Sequence, residues 1–374
     1  MPKNRHVASG RTGARILKDH MAKTKPIAGK RTIAELREWH ALAPEDPVDS
    51  DLPIIDAHHH LWNRPPQAYQ TDAFFDDISL SGHNVRATCF VECTSMYKQH
   101  GPEHLRPIGE TEYVNGMAAM SASGFYGPLR MCAAITGYAD LRRADIAEIL
   151  LAHVAAGGGR FRGVRQQAQF DPALGSLAKR PTPEGLLRDP AFRRGLAVLG
   201  AMDLVFDAVV YFTQLGDLAS AARGCPDTAI VLNHVGWPMA IGPYADQQAT
   251  FSRWREGMAE LEKCPNVSVK LGGLGMTAFG FGFEHWPAPP SSEQLLATWR
   301  PYLETMISLF GAGRCMFESN FPVDAQSCSY ASLWNAFKLL THRATHEERH
   351  LLFAGAARKI YRLNELESHR RTAA

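Results

Sequence analysis

Three consecutive histidines, His58, His59 and His60, follow Asp56 in a chain of 374 residues. The apolar, β-branched residues just before them are typical of a buried strand. Because side chains alternate faces along a strand, His58 and His60 point the same way and His59 points the opposite way. Two imidazoles on one face can reach one metal ion. The spacing therefore predicts a metal site at His58 and His60; the alternative is a histidine run that makes ordinary hydrogen bonds in a loop.

From residue 54 onward, strand-like segments alternate with helix-like segments. Eight segments begin apolar or β-branched, and they lie at 54–60, 87–93, 129–137, 160–167, 204–211, 229–236, 267–273 and 314–321. Helical patterns lie at 110–121, 139–155, 190–202, 213–222, 251–263, 293–310, 330–340 and 345–361. Eight such units over about 300 residues predict an α/β fold of the (β/α)8 TIM-barrel type, with a doubly wound sheet as the alternative.

Polar residues collect where most of these strands end. They are His58, His60, Glu92, Arg165, Gln166, Tyr211, Asn233, His234, Lys270, Glu318 and Asn320. Active-site groups of a TIM barrel lie at the C-terminal ends of its strands. Buried strands have no other reason to collect polar side chains, because an unpaired buried polar group costs free energy. The pattern therefore places the predicted active site at this end of the barrel.

Charge and composition limit the classes of function. Residues 1–31 carry nine Lys or Arg and one acidic residue, so with +2 for the whole chain the remainder is about −6. We expect no nucleic-acid surface. The sequence contains no run of about 18 apolar residues, so we expect no membrane helix. No apolar segment follows the basic start, so we expect no classical secretory signal. Seven cysteines without Cys-x-x-Cys predict free thiols and a reduced, cytoplasmic setting.

The pattern divides the chain into four predicted segments. They are a flexible basic arm at 1–31, an N-terminal helix and linker at 32–52, the barrel at 53–362 and a tail at 363–374. Thr32 and Glu35 match a capping box at the start of the N-terminal helix.

Long inserts interrupt the barrel pattern at 94–109, 168–189 and 274–292, and loops of this length inside a compact domain are usually functional. The last insert contains the aromatic residues Phe279, Phe281, Phe283 and Trp286. They predict an apolar lid or pocket wall, or alternatively an interface with a second copy in a homodimer.

Four motifs resemble one family. They are Asp56-x-His58-x-His60-x-Trp62, the segment 233–236 (NHVG), the segment 314–324 (RCMFESNFPVD) and Leu352-Phe353-x-Gly355-x-Ala357. Over about residues 53–362 the chain resembles the amidohydrolase-2 branch of the amidohydrolase superfamily. It is most similar to the predicted metal-dependent TIM-barrel hydrolases, which include sugar lactonases and the 2-pyrone-4,6-dicarboxylate lactonase. Neighbouring relatives are metal-dependent decarboxylases of aromatic acids.

The resemblance implies roles for particular residues. His58 and His60 match a metal-binding pair, and His234 matches a histidine that binds metal or polarises the substrate carbonyl. Arg165 matches a position that grips a substrate carboxylate or hydroxyl; the alternative is a structural ion pair. Zinc is the expected metal because imidazole suits it. A metal-free mechanism is the alternative, since some lactonases of this group work without metal.

Position 320 departs from the family pattern. The usual strand-8 sequence is Ser-Asp-x-Pro, whereas this chain has Asn320 at the aspartate position. Asparagine cannot take a proton and is a weak metal ligand. Glu92, Glu318 or Asp324 could serve as the base instead. Alternatively, a metal hydroxide beside His234 attacks the substrate without a carboxylate base. In the third alternative the protein binds its ligand and does not hydrolyse it.

The expected activity is metal-dependent hydrolysis of a lactone or similar cyclic ester of a sugar acid or carboxylated small molecule. Arg165 and Lys270 would hold an acidic or hydroxylated substrate, and Tyr97 and Tyr211 would donate hydrogen bonds near the leaving oxygen. The alternative for Lys270 is a buried ion pair with Glu92 or Glu318. Non-oxidative decarboxylation of an aromatic acid and a non-catalytic ligand-binding barrel are the alternative functions.

Overall fold

The computed structural model describes residues 31–64, 67–177, 180 and 182–363. The predicted basic arm lies outside these residues except for Arg31, and the predicted tail lies outside them except for Leu363.

Eight parallel strands form the sheet, and their order in the sheet follows their order in the chain. The strands are β1 (Ile54–His59), β2 (Val85–Val91), β3 (Arg130–Gly137), β4 (Phe161–Val164), β5 (Val205–Ala208), β6 (Ile230–Leu232), β7 (Val267–Leu271) and β8 (Cys315–Phe317). The segment after β8 closes the sheet against β1, since His60 N donates to Phe321 O at 2.8 Å and Asn320 N donates to His58 O at 2.9 Å. The fold is therefore a (β/α)8 TIM barrel, as the sequence predicts.

Helices before, between and after the strands accompany the barrel. They are α1 (Ile33–His40), α2 (Thr71–Leu80), α3 (Ile108–Ala122), α4 (Ile146–Ala156), α5 (Pro190–Ala201), α6 (Leu215–Gly224), α7 (Gln247–Glu262), α8 (Ser292–Phe310), α9 (Tyr330–Leu340), α10 (His346–His350) and α11 (Ala356–Ile360). Their buried faces carry large side chains such as Trp254, Trp299 and Trp334. None of the helices in the described ranges is long and apolar enough to cross a membrane.

Two features differ from the prediction. Most strands end earlier than the sequence pattern indicates, because their polar C-terminal residues leave the hydrogen-bonded ladder for the loops above it. Helix α2 was not predicted from the sequence, since its apolar stripe is short and three aspartates interrupt it. Only Thr71, Phe74 and Ile78 of α2 are buried.

The N-terminal helix α1 begins at the predicted capping box, in which Thr32 and Glu35 satisfy each other's backbone amides. Trp39 of α1 is buried and donates from Nε1 to Trp286 O at 3.2 Å. The guanidinium of Arg31 stacks on Trp39 at 4.1 Å. Helix α1 therefore supports the long loop after β7.

Candidate active site

A cavity of about 410 Å³ opens where the C-terminal ends of the strands meet. Four of the predicted site residues line it, namely His60, Arg165, His234 and Asn320. They follow β1, β4, β6 and β8 respectively, so the barrel brings together side chains that are far apart in sequence. The cavity is the size of an ordinary small-molecule site.

The histidines of β1 are arranged as their alternation predicts. His58 Nε2 lies 3.3 Å from His60 Nε2, whereas His59 Nε2 contacts the Thr88 hydroxyl at 2.9 Å. The His59 ring stacks on Phe74 at 4.3 Å, outside the barrel. His59 thus anchors the strand to α2, while His58 and His60 face each other at the site.

Glu318, one residue after β8, contacts two of the histidines. Its Oε2 lies 2.8 Å from His58 Nδ1, and its Oε1 lies 2.8 Å from His234 Nδ1. The backbone N–H of His234 also donates to Oε1 at 3.1 Å. Burial, followed by the charge of nearby Lys270, holds the pKa of His58 well below its usual value. His58 is therefore a neutral imidazole.

The proton positions on His58 and His60 suit a metal ion. His60 Nδ1 lies 2.7 Å from the carbonyl oxygen of Val91, which can only accept, and His58 Nε2 lies 3.4 Å from Arg165 Nη1, which can only donate. Both Nε2 atoms are then unprotonated and face each other at 3.3 Å. Two nitrogens bound to one tetrahedral zinc lie about 3.3–3.4 Å apart, given Zn–N bonds of about 2.0–2.1 Å. The residues fit such an ion.

His234 adds to this cluster. Its ring centroid lies 4.6 Å from that of His58. His58, His234 and Glu318 each offer a ligand atom, and these atoms lie within 4.8 Å of one another. Because Nδ1 of His234 is bound to Glu318, Nε2 is the nitrogen that can bind a metal or take a proton.

Arg165, which lines the cavity, also belongs to an ion-pair network. Its Nε donates to Glu92 Oε1 at 3.0 Å, and its Nη1 lies 3.4 Å from His58 Nε2. Arg180 contacts the other oxygen of Glu92 at 3.3 Å and also binds the hydroxyl of Tyr97. Two guanidiniums therefore compensate the buried Glu92, and one of the two predicted phenol donors is bound to Arg180.

Asn320 has φ of 54° and contacts Asp324, another of the candidate bases. Its Nδ2 donates to Asp324 Oδ1 at 2.7 Å, while Gly275 N donates to Oδ2 at 2.8 Å. Burial raises the pKa of Asp324 well above its usual value. The contact with Asp324 orients the amide of Asn320, so Oδ1 is the atom left for the cavity.

Lys270 and Tyr211 lie in other contacts. Lys270 is fully buried in the barrel, where Nζ donates to Asp207 Oδ1 at 2.6 Å. The ion pair considered from the sequence is thus formed with Asp207 rather than with Glu92 or Glu318. The hydroxyl of Tyr211 accepts from Leu177 N at 2.8 Å, and its ring packs on Trp237 at 5.3 Å.

Four buried polar atoms of cavity-lining side chains have no hydrogen-bond partner within the described residues. They are Gln167 Oε1, Gln169 Oε1, Trp237 Nε1 and Asn320 Oδ1. Gln167, Gln169 and Trp237 were not predicted from the sequence. The polar run after β4 was a signal for the two glutamines, but side chains on an irregular loop have no periodicity from which to assign a face. Trp237 lies in the turn after β6.

The loop at 274–292 forms part of the cavity wall. Gly275, Met276, Thr277 and Ala278 line the cavity. The predicted apolar wall is therefore built mainly from the start of the loop, while the aromatic side chains farther along pack among themselves and against α8.

Comparisons with known proteins agree with this arrangement. The chain is 27% identical over 317 residues to L-fucono-1,5-lactonase of Burkholderia multivorans, covering 83% of this chain and 96% of that protein. It is 33% identical over 328 residues to the uncharacterised protein y4mH of Sinorhizobium fredii, covering 84% of this chain and 100% of that protein.

Solved structures show the same fold. A zinc-bound amidohydrolase of Burkholderia multivorans matches with a TM-score of 0.63 and 25% identity, over 83% of this chain and 99% of that one. A 2-pyrone-4,6-dicarboxylic acid hydrolase of Pseudomonas putida matches in fold with a TM-score of 0.56 and 18% identity, over 83% and 98% of the chains. The sequence model of the amidohydrolase family matches residues 55–363, so the chain belongs to the amidohydrolase family.

Proposed function

We propose that the protein is a metal-dependent hydrolase of a hydroxylated lactone, such as the cyclic ester of a sugar acid. The observation that carries the proposal is a set of buried, unpaired polar atoms that belong to side chains lining the cavity. Gln167, Gln169 and Asn320 offer buried oxygens, and Trp237 offers one N–H. Three acceptors and one donor suit a ligand with several hydroxyl groups, because buried acceptors need donors from the ligand.

The cavity suits a polyhydroxylated ring better than an acidic one. The guanidinium of Arg165 is already paired with Glu92, at 3.0 Å between Nε and Oε1. Trp62 and Trp237 provide flat apolar walls for the carbon face of a ring. The similarity to L-fucono-1,5-lactonases supports the same substrate class.

His58 and His60, whose Nε2 atoms lie 3.3 Å apart, would hold the metal. Glu318 holds His234 beside them, where His234 would bind the same ion or polarise the substrate carbonyl. A divalent cation bound there would polarise an ester carbonyl and bring the pKa of water close to neutrality. Glu318 then positions the histidines rather than acting as the base.

Asn320 takes a positioning role in this proposal. Asp324 holds its amide so that Oδ1 accepts a hydrogen bond from water or from a substrate hydroxyl. Asn320 cannot remove a proton, so the proton that the attacking water loses would pass to bulk solvent or to the ring oxygen, which leaves as the alcohol when the ring C–O bond breaks.

A panel of lactones tests the substrate class. Hydrolysis should release one proton per turnover from sugar-acid lactones, measured with a pH indicator, and should be weaker for dicarboxylated lactones. A preference for dicarboxylated lactones, or CO₂ release from an aromatic acid, would contradict the proposal. No turnover across the panel, with ligands still raising the melting temperature, would favour a binding protein.

Neighbouring histidines give a matched test of the metal site. His60→Gln should lower metal affinity by at least about tenfold, because it removes a ligand, and hydrolysis should fall with it. His59→Gln changes the adjacent, outward-facing residue; it should lower the melting temperature but keep the metal. Metal analysis of protein never exposed to chelator gives the readout. Equal metal content in both variants would refute the assignment of His60.

A further inference from the structure

Arg31, two residues before helix α1, contacts two side chains of the catalytic cavity wall. Its backbone N–H donates to Gln326 Oε1 at 3.0 Å, and its carbonyl oxygen accepts from Gln326 Nε2 at 2.9 Å. The same carbonyl oxygen accepts from Gln67 Nε2 at 3.2 Å. Gln67, after β1, and Gln326, after β8, both line the cavity. The backbone of Arg31 therefore joins two parts of the wall.

The side chain of Arg31 reaches a third part. Nη1 donates to the carbonyl oxygen of Glu284 at 2.9 Å, and Nη2 donates to that of Trp286 at 3.4 Å. Both carbonyls belong to the loop at 274–292, whose first residues line the cavity. The guanidinium is buried and stacks on Trp39 of α1 at 4.1 Å. A planar fork can meet two carbonyls and a ring at once, which a lysine ammonium cannot do.

Nearby hydrogen bonds extend this junction. On α1, His40 Nε2 lies 2.8 Å from the carbonyl oxygen of Ala325, the residue before Gln326. Trp62, which lines the cavity, donates from Nε1 to the carbonyl oxygen of Gln67 at 2.6 Å. We call the central set of residues the clasp, namely Arg31, Trp39, Gln67, Glu284, Trp286 and Gln326.

The segments that the clasp joins lie outside the strands, after β1, β7 and β8. Loops lack the continuous ladder of hydrogen bonds that fixes a strand, so contacts such as these set how the loops lie against one another. A small-molecule site needs its wall in place before the ligand arrives. Loss of the clasp should therefore let the parts of the wall shift relative to one another.

We propose that Arg31 is a positioning residue, which keeps the loops after β1, β7 and β8 in the arrangement that binds the substrate. It acts through Gln67, Gln326 and the loop at 274–292. The effect on the substrate rests on the hydrolase function proposed above. The effect on the loops does not, so the two effects are measured separately.

Hydrogen–deuterium exchange of the full chain, read by mass spectrometry, tests the clasp without a substrate. Arg31→Met should speed exchange by at least about tenfold in peptides covering 62–69 and 276–286, where backbone hydrogen bonds close the loops. Exchange in α6 should change by less than about threefold. Equal acceleration in α6 would indicate a general loss of stability and overturn the proposal. Arg31→Lys keeps the charge without the fork, so it should show a smaller change in the same direction.

Steady-state kinetics with lactones test the effect on the substrate. Arg31→Met should raise KM by about tenfold and change kcat by less than about threefold, because the wall binds the ground state and the transition state alike. Arg37→Met is the matched control, since it removes one cation from α1. The Arg37 side chain is 48% exposed and pairs with Asp76 at the surface. This control should leave both KM and the exchange of the two loops unchanged.

The two measurements separate the possible failures. Equal exchange in Arg31→Met and Arg37→Met would overturn the clasp. Faster exchange of the loops with an unchanged KM would overturn the role of Arg31 in substrate binding. If the unchanged protein hydrolyses no lactone, the proposed function fails by itself, and exchange still decides whether Arg31 holds the cavity wall.

Discussion

At the scale of single residues, the hydrogen-bond partners of the histidines set their chemistry. Glu318 contacts Nδ1 of both His58 and His234, and the carbonyl of Val91 contacts Nδ1 of His60. Each partner leaves Nε2 as the nitrogen with the lone pair. Glu318, considered from the sequence as a base, thus has a second role, because its hydrogen bond fixes the tautomer of His234.

The residue types at the site could be predicted from the sequence, but their pairing could not. Alternation along β1 correctly separates His59 from His58 and His60. The contacts of Arg165 with Glu92 and of Lys270 with Asp207 depend on how strands lie across the barrel. A single sequence contains no signal for those distances, so it offered Glu92 or Glu318, and not Asp207, as the ion-pair partner of Lys270.

Glu110 gives a test of the electrostatics beside the site. It is buried, and its Oε1 accepts from Cys93 N at 3.0 Å and from Ser95 N at 2.7 Å. Burial, and then the charge of Glu92, raises the pKa of Glu110 to about 8. Because the folded state holds this proton more tightly than the unfolded state, the contribution of Glu110 to stability is fully present below about pH 4.5 and is lost as pH rises towards about 8.

Glu110→Gln removes that titration and should keep the Oε1 acceptor. Between about pH 5 and about pH 8 its free energy of unfolding should rise relative to the unchanged protein, by up to about 1 kcal/mol per pH unit. Urea denaturation at several pH values gives the measurement. Glu112→Gln, on the same helix but half exposed, is the control and should show no such trend. Parallel pH profiles for all three proteins would contradict the assignment.

At the scale of elements, the turn after β6 carries unusual backbone. His234, Val235, Gly236 and Trp237 have successive φ values of 53°, 46°, 68° and 51°. Non-glycine residues with positive φ values are strained. Such a conformation persists only where many surrounding contacts hold the backbone in place. Gly273, after β7, supplies one of these contacts, because it lies directly against the ring of His234.

Gly273→Ala should therefore displace His234. An added Cβ would lie 2.3 Å from His234 Nδ1, the atom that contacts Glu318. Activity should fall by about a hundredfold, since a displacement of about 1 Å in a catalytic group has effects of that size. Steady-state kinetics and thermal melts give the readouts.

Gly282→Ala is the control for backbone strain. Gly282 has φ of 73°, close to the 68° of Gly273, but no described atom lies within 4 Å of its added Cβ. Both variants should lose about 1–2 kcal/mol of stability from the left-handed backbone. Only Gly273→Ala should also lose activity. Equal activities of the two variants would show that His234 tolerates the added Cβ.

The order of elements was predictable because eight apolar segments recur with helical patterns between them. Helix α2 was missed since only Phe74 and Ile78, four residues apart, and the small Thr71 mark its buried face. The predicted strands extend past the observed strand ends. The sequence pattern does not distinguish a polar residue on a loop above the barrel from the last residue of the strand. Local pattern therefore fixes element type more readily than element ends.

At the scale of the whole molecule, one buried carboxylate ties the barrel together. Asp207 on β5 accepts from Lys270 on β7 at 2.6 Å and from Asn233, after β6, at 2.8 Å. Thr136 on β3 and Tyr361, after the last helix, also donate to it, at 3.2 Å and 3.0 Å. We call Asp207 and its four donors the hub. Inside the barrel it joins β3, β5 and β7 to the residue after β6 and to the end of the last helix.

Lys270→Met tests whether this lysine belongs to the hub or to substrate binding. It leaves Asp207 buried without its cation, so it should cost about 3–5 kcal/mol of stability. Adding Asp207→Asn should recover part of that loss, because the unpaired charge is then gone. Lys263→Met, at a 61% exposed side chain, is the control and should change stability little. If Lys270→Met instead keeps its stability and raises KM for lactones, Lys270 contacts the substrate, as the sequence suggested, and the hub does not depend on it.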